Sequence, residues 1–190
     1  NRIFKIKGNF FPLKSSSHYS NSIFHLKLFS LSIIHCMTIQ DNFRLAMRRY
    51  IYSVSIMSNK DEDKNLNAIT VSSVTSISME PPSLLVCINK DSRIHDSLKL
   101  GTKFCVNLLT KDHIGLSDIC SSDNRYSERF IDKTWNTATV PFLEGAQSNI
   151  FCIVDNLVSF HTHSIVIGLV EDAKFHNEIS TLTYVDGSYK

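Results

Sequence analysis

Residues 67–92, NAITVSSVTSISMEPPSLLVCINKDS, gather short hydrogen-bonding groups into one stretch. Thr70, Ser72, Ser73, Thr75, Ser76 and Ser78 bring hydroxyls and closely spaced backbone N–H groups, and Pro81 with Pro82 bounds the run. A polar run of this kind is commonly a solvated strand face followed by a serine-rich turn. It can also form a wall for a flat polar ligand, whose ring edge takes backbone hydrogen bonds while hydroxyls take a phosphate. Asn89, Lys90 and Ser92 then stand where an apolar strand feeds a helix start. Unpaired N–H groups, a positive dipole end and a lysine suit an anion there. Ordinary N-capping by Asp91 or Ser92 would use the same positions. Only one strand's length separates the two features, so a fold can bring them together.

Other chemistry is thinner. His161 and His163 in FHTHSIVIGLV lie on one face of a strand, with His176 downstream. Two histidines at that spacing can hold a metal, but no nearby Cys, Asp or Glu completes a set; Asp155 and Glu171 would have to join through folding. His163 also precedes Gly168, whose missing side chain would let a ring approach the backbone. The five cysteines, Cys36, Cys87, Cys105, Cys120 and Cys152, are odd in number and form no CxxC pair. They read as reduced thiols of a cytoplasmic protein. Cys87, inside LLVCIN, reads as a small buried apolar residue. The six glycines are scattered, so there is no G-x-G-x-x-G turn and no P-loop. A G-x-S-x-G elbow is likewise missing.

The elements that must position these groups follow from pattern. The chain has 190 residues, 43% hydrophobic and 20% charged, enough for one core in one domain. A net charge of +2 gives no argument for nucleic acid or an anionic membrane as partner. No apolar run reaches the roughly 20 residues of a membrane span. Residues 1–36 carry no carboxylate, and we read them as a leader outside the folded unit, with a targeting segment as the alternative. The domain proper is expected over 37–190, beginning at Met37.

Ile39, Phe43, Met47 and Tyr50 recur at helical spacing after Asp41, which can cap the start. YSVSIMS and NAITVSSV alternate as strands, the second with Ala68, Thr70 and Ser72 on one face and Ile69, Val71 and Ser73 on the other. Pro81 and Pro82 stop that ladder. SLLVCIN and TKFCVNLL read as strands buried on both faces, and DSRIHDSLKLG and DHIGLSDICSS as short helices. The first helix turns Ile94 and Leu98 inward and stops at Gly101. Residues 123–146 read as a loop with one or two helical turns. SNIFCIVDNLVSFHTH and HSIVIGLVEDAKFHN favour two long antiparallel strands, and TLTYVDGSY closes the chain. The expected fold is mainly β, a barrel with a few short helices.

TVSSVTSISMEPPSLLVCINKDSRIHDSL, followed by FCVNLL, Arg129-Phe130, HSIVIGLV and TYVDGSY, resembles the flavin reductase family with the FMN-binding split-barrel fold. More narrowly it is similar to the short-chain reductase components of two-component flavin monooxygenases, of the 4-hydroxyphenylacetate type. The resemblance spans roughly residues 40–189. It implies that Ala68, Ile69, Thr70, Val71, Ser72, Ser73 and Val74 line the flavin, with Ser78 supporting the turn beyond. It places Asn89, Lys90 and Ser92 near the ribityl phosphate, and counts Cys87 with the flavin-binding set. It sets His163 at the reacting face as the catalytic residue, on a strand with Gly168 and Val170, and brings Tyr184 and Tyr189 close to the same pocket. It implies FMN or FAD as flavin, NADH or NADPH as co-substrate, a homodimer, and release of reduced flavin to a monooxygenase. The sequence departs from the family at Ser53 and around Asn67 and Ala68, where glycine is common, and in the charged SNKDEDKN loop. Flavin choice and loop shape are therefore open. A flavin-binding barrel without turnover, and a histidine-rich metal-binding β-barrel, are the alternative readings.

Overall fold

The computed structural model describes residues 37–131 and 133–190, so the leader lies outside the described residues. In chain order these form helix α1 (Ile39–Met47), strands β1 (Tyr52–Ser53), β2 (Ser55–Lys60), β3 (Leu66–Val71), β4 (Thr75–Met79) and β5 (Pro82–Asn89), and helix α2 (Arg93–Asp96). Then come β6 (Lys103–Leu108), helix α3 (Ile114–Cys120), the short strands β7 (Trp135–Asn136) and β8 (Phe142–Leu143), the long strands β9 (Ser148–Phe160) and β10 (His163–Phe175), and β11 (Thr183–Val185) with β12 (Ser188–Tyr189). Two 3₁₀ segments, Lys111–His113 and Asp123–Glu128, flank α3. No helix among the described residues is long and apolar enough to cross a membrane.

Seven strands make one antiparallel sheet in the order β3-β2-β6-β9-β10-β5-β4. β3 and β4 occupy its opposite edges, yet only Ser72–Val74 joins them. Laid flat, seven strands at about 4.8 Å spacing would hold the edges roughly 29 Å apart. The link, at about 3.5 Å per residue, reaches only about 14 Å. The sheet therefore rolls into a barrel that stays split between β3 and β4, where no ladder forms. Ser73 ties the link to β5, in step with the β4–β5 register: its hydroxyl accepts from the Cys87 N–H at 3.0 Å and donates to the Cys87 carbonyl at 3.3 Å. The mainly β split barrel expected from the resemblance is what the chain adopts.

Two apolar clusters decide which strands are dry. The barrel interior holds Met57, Ile69, Val71, Val86, Phe104, Val154 and Val166, packed with Ile94 of α2 and Leu98 just beyond it. Outside the sheet, Leu116 and Cys120 of α3 pack with Trp135, Leu143 and Leu182 on Ile56 and Ala68. β2 and β3 are thus covered on both sides, and every β3 residue from Asn67 to Val71 is buried. The serine-rich stretch is not one solvated strand. Its first half is a doubly buried strand, and its second half, β4, is a largely exposed edge.

The expectation that SLLVCIN is buried on both faces needs correcting. Leu84, Val86 and Ile88 are buried, whereas Ser83, Leu85, Cys87 and Asn89 are only half-buried. The same alternation runs along β10, where Ile165 and Ile167 stand opposite Cys87 and Leu85. No second layer among the described residues covers that face. Helix α1 is capped by Thr38, with Asp41 returning the bond in a capping box, so Asp41 is the third helical residue and not the cap. Its expected apolar stripe stays largely open among the described residues: Ile39 is 84% and Phe43 65% exposed, Met47 is half-buried, and Tyr50 meets the Tyr52 ring.

Gly168 shows what a missing side chain is for. A Cβ there would lie 2.5 Å from the ring of Phe104, which is fully buried. The ring that this glycine admits is therefore a core phenylalanine. Gly168→Ala should cost about 1–3 kcal/mol of stability through overpacking, read as a lower Tm. Phe104→Leu in the Gly168→Ala background should recover part of that loss. An unchanged Tm in Gly168→Ala would contradict the packing described.

Candidate functional site

The seam between β3 and β4 is where backbone polar groups escape the sheet. The β2–β3 ladder ends at Val71 and the β4–β5 ladder begins at Thr75, so Ser72, Ser73 and Val74 belong to neither. All three are half-buried. The residues before them are turned to other tasks. Ala68, Ile69 and Val71 point into the two apolar clusters, and the buried Thr70 hydroxyl donates to the Ser117 carbonyl at 2.7 Å. The wall expected over Ala68–Val74 thus keeps side chains off the two clusters only at Ser72 and Ser73, since the half-buried Val74 packs on the barrel interior. Ser78, beyond it, closes the β4–β5 turn by accepting from the Glu80 N–H at 3.0 Å.

The expected anion corner lies beside the seam. Cys87, bonded to Ser73, is two residues upstream of Asn89, which ends β5. The Asn89 side chain accepts from the Asp91 N–H at 3.1 Å, and its carbonyl accepts from the Ser92 hydroxyl at 2.6 Å. Ser92 is buried and makes no side-chain cap bond to α2, which is only four residues long. Lys90 sits outside, its Nζ donating to the Ser159 hydroxyl at 2.6 Å and its N–H to the Thr162 carbonyl at 3.0 Å. These two bonds bring the tip of the β9–β10 hairpin onto the corner.

His163 arrives on that hairpin. It pairs with Asn89 across the β5–β10 ladder and with Phe160 across β9–β10. Its Nδ1 lies 2.9 Å from the Thr162 hydroxyl. Burial holds its pKa below the usual 6.5, and the Asp91 carboxylate partly opposes that shift. The seam, the corner and His163 therefore cluster along the end of β5.

Other expected positions lie apart. Gly168 faces the core, and Val170 packs on the barrel interior. The Tyr189 hydroxyl lies 3.0 Å from the Ser117 hydroxyl and donates to Asp118 Oδ1 at 3.4 Å, on the α3 side of β3. Tyr184 meets Tyr189 edge to face at 5.3 Å. The Tyr189 hydroxyl is linked to β3 through Ser117, which also holds Thr70. His161 occupies the hairpin tip with φ +45° against Phe160, and the His176 N–H donates to the Gln147 carbonyl. Among the described residues no three potential ligands assemble for a metal.

One cluster was missed by motif reading. Arg93 lies 4.3 Å above the Tyr126 ring and Arg129 4.8 Å from the same ring. Arg129 is buried, donating to the Ala68 carbonyl at 2.6 Å and the Ser122 carbonyl at 2.9 Å. Arg93 and Tyr126 border a cleft of about 660 Å³ with Asn67, Asp61 and Asp96. A second cleft of about 490 Å³ shares Lys99 and Ser97. Neither cleft contains the seam, Lys90, Ser92 or His163. In a single chain those groups line an open surface beside the half-exposed sheet face. The position of Arg93 directly after Ser92 was the available signal.

The residues at the seam fit a flat ring with a phosphate tail: backbone off the ladders, a lysine at the far end and a histidine between. Comparison with known proteins points the same way. The flavin reductase like domain model matches residues 47–190. The FADH(2)-dependent resorcinol hydroxylase reductase component of Rhizobium sp. (strain MTP-10005) is 35% identical over 165 residues, covering 85% of this chain and 92% of that protein. The FMN reductase (NADH) RutF of Cronobacter sakazakii is 29% identical over 155 residues, covering 80% and 93%. The styrene monooxygenase flavin reductase of Pseudomonas putida S12 superposes with a TM-score of 0.67 at 28% identity, covering 78% of this chain and 96% of that one.

His163 should titrate below 6.5, and Asp91→Asn should lower its midpoint further. As pH falls through 6.5 the unfolded chain takes the proton first, so His163 should remove stability down to its folded pKa. NMR titration checks this, and a midpoint above 6.5 would contradict it. Burial pushes the Cys120 and Cys152 thiols up to about 12, and Cys105 higher still, whereas Cys87 is half-buried. Among these four, a thiol reagent should modify Cys87 first in the native protein.

Proposed function

The chain belongs to the flavin reductase like domain family, and from that premise we propose that it is an NAD(P)H-dependent flavin oxidoreductase that passes reduced FMN or FAD to a partner monooxygenase. The observation that carries the reading is the Ser72–Val74 link, off both ladders and bonded to β5 next to Asn89. Bound there, the flavin supplies the centre that accepts hydride from the nicotinamide. The chain's own work is positioning. The Ser72, Ser73 and Val74 backbone holds the ring edge and offers donors where negative charge develops. Lys90 and the turn to Ser92 hold the phosphate end. His163, kept neutral by burial, orients a ring by hydrogen bonding. No side chain has to take a proton, which agrees with the lack of a carboxylate pair near the seam.

The working unit in this reading is a homodimer in the cytoplasm. Its support is the uncovered face of β5 and β10, where Leu85, Cys87, Ile165 and Ile167 are half-buried and Phe160 is 65% exposed. A second copy laid on that face would also enclose the open seam. The four described cysteines, all free, agree with a reducing compartment.

NADH oxidation with and without added flavin tests the function; no flavin-dependent oxidation with FMN or FAD would remove it. Ser72→Val should weaken flavin binding by about 1 kcal/mol, because a hydroxyl is lost without replacement. Ser73→Val should do so more strongly, because the bonds that tie the link to β5 go with it. His163→Ala should keep its flavin but turn over about 10–100-fold more slowly, because a positioning contact is lost. His161→Ala and His176→Ala should match the parent. Light scattering at micromolar concentration should give twice the chain mass, and a monomer would count against the dimer.

A further inference from the structure

The corner that holds Lys90 and the strand that carries His163 are joined by one more bond, which the reaction scheme above does not use. His95, the third residue of α2, extends its ring to β10, where Nε2 lies 2.9 Å from the Ser164 hydroxyl. Sixty-nine residues of chain separate the two, so this is a tie between distant elements. Ser164 is 5% exposed, and a hydroxyl that deep requires a partner. It follows His163 directly, and the two side chains point to opposite faces of β10: His163 outward opposite Asn89, Ser164 inward opposite Ile88. The β5–β10 ladder begins at this same pair, so beyond Asn89 no strand pairing holds the corner to the hairpin. Lys90 grips the hairpin tip from outside through Ser159 and Thr162. His95 grips the next residues from inside.

We propose that His95 is a positioning residue for hydride transfer: through Ser164 it fixes how far His163 stands from the Asn89–Ser92 corner. The proposal rests on the reductase reading. Two rings must stack between the seam and His163 while the phosphate end stays at the corner, so the separation of corner and histidine sets the reacting distance. Ile94, fully packed in the core, anchors α2 so that the neighbouring His95 can act as a strut. Both ladders hold β10, so loss of the strut frees the short α2 and the corner before it to shift against His163, and a shift of about 1 Å at a reacting pair costs up to about 100-fold in rate.

The experiment is steady-state and single-turnover kinetics of NADH oxidation by the full chain with saturating FMN or FAD, for the parent, His95→Ala, His95→Gln, Ser164→Ala and the double alanine variant. His95→Ala should lose about tenfold or more in the single-turnover hydride step while binding flavin within about twofold of the parent. His95→Gln, which keeps a nitrogen near the same place, should recover most of that loss. The double variant should be no slower than the slower single one, since both break one contact. Thermal melts accompany each variant. A His95→Ala enzyme that has a lower Tm but the parent's hydride rate would overturn the proposal, and so would additive losses in the double variant. If the parent itself fails to oxidise NADH with either flavin, the reductase reading falls instead.

Discussion

A three-residue connection between the two edges of a seven-stranded sheet constrains everything else in this molecule. It forces the sheet to roll, and it leaves a split where the rolled edges cannot pair. It also places three consecutive peptide units outside any ladder. Backbone groups in that state need partners. Ser73 satisfies two groups of Cys87 on β5, and the donors of the link are those proposed to meet a flat ligand. The split is therefore the consequence of a short link, and the proposed binding surface is the consequence of the split.

Chemistry gathers at the split because the neighbouring strand ends there. β5 delivers Cys87, Asn89 and Lys90 in sequence, and the β9–β10 hairpin folds back so that His163 pairs with Asn89. The rest of the polar interior serves to hold the frame. Asn107 accepts from the Leu143 N–H at 2.8 Å and from Asn149 at 2.9 Å, and its own amide donates to Ile56 and Ser58. That network pins the β7–β8 excursion to the back of the sheet. With β2 and β3 packed between two apolar layers, and β5 and β10 covered on one side only, the seam side remains accessible while its support is rigid.

Strands and helices were legible where their own periodicity decides them. β6, β9 and β10, α3 and the inward Ile94 and Leu98 all follow from local pattern. The Asp186-Gly187 turn between β11 and β12, with φ of +48° and +84°, suits its residue types, although the expectation for TLTYVDGSY contained no turn. What local pattern could not decide was which face another layer would cover. NAITV and SLLVCIN look alike in hydrophobicity, yet α3 covers the outer face of the first and none of the described residues form a layer over the outer face of the second. For the same reason Thr70 and Gly168 are turned inward, toward Ser117 and Phe104, although their types alone suit a ligand wall. Ser73, Asn89, Lys90 and His163 do converge, because consecutive positions at a strand end stay together however the layers stack. Arg93, Tyr126 and Arg129 converge through a loop whose weak periodicity gave no signal.

The central claim is that the split, and not the cleft bordered by Arg93 and Tyr126, receives the flavin ring. Amide hydrogen exchange on the full chain, with and without saturating FMN, addresses it residue by residue. The account predicts slowed exchange at Ser72, Ser73, Val74 and Thr75, with a smaller effect at Lys90 to Ser92. Slowed exchange confined to Asp61–Asn67 and the Tyr126 loop, with Ser72 to Thr75 unchanged, would contradict it.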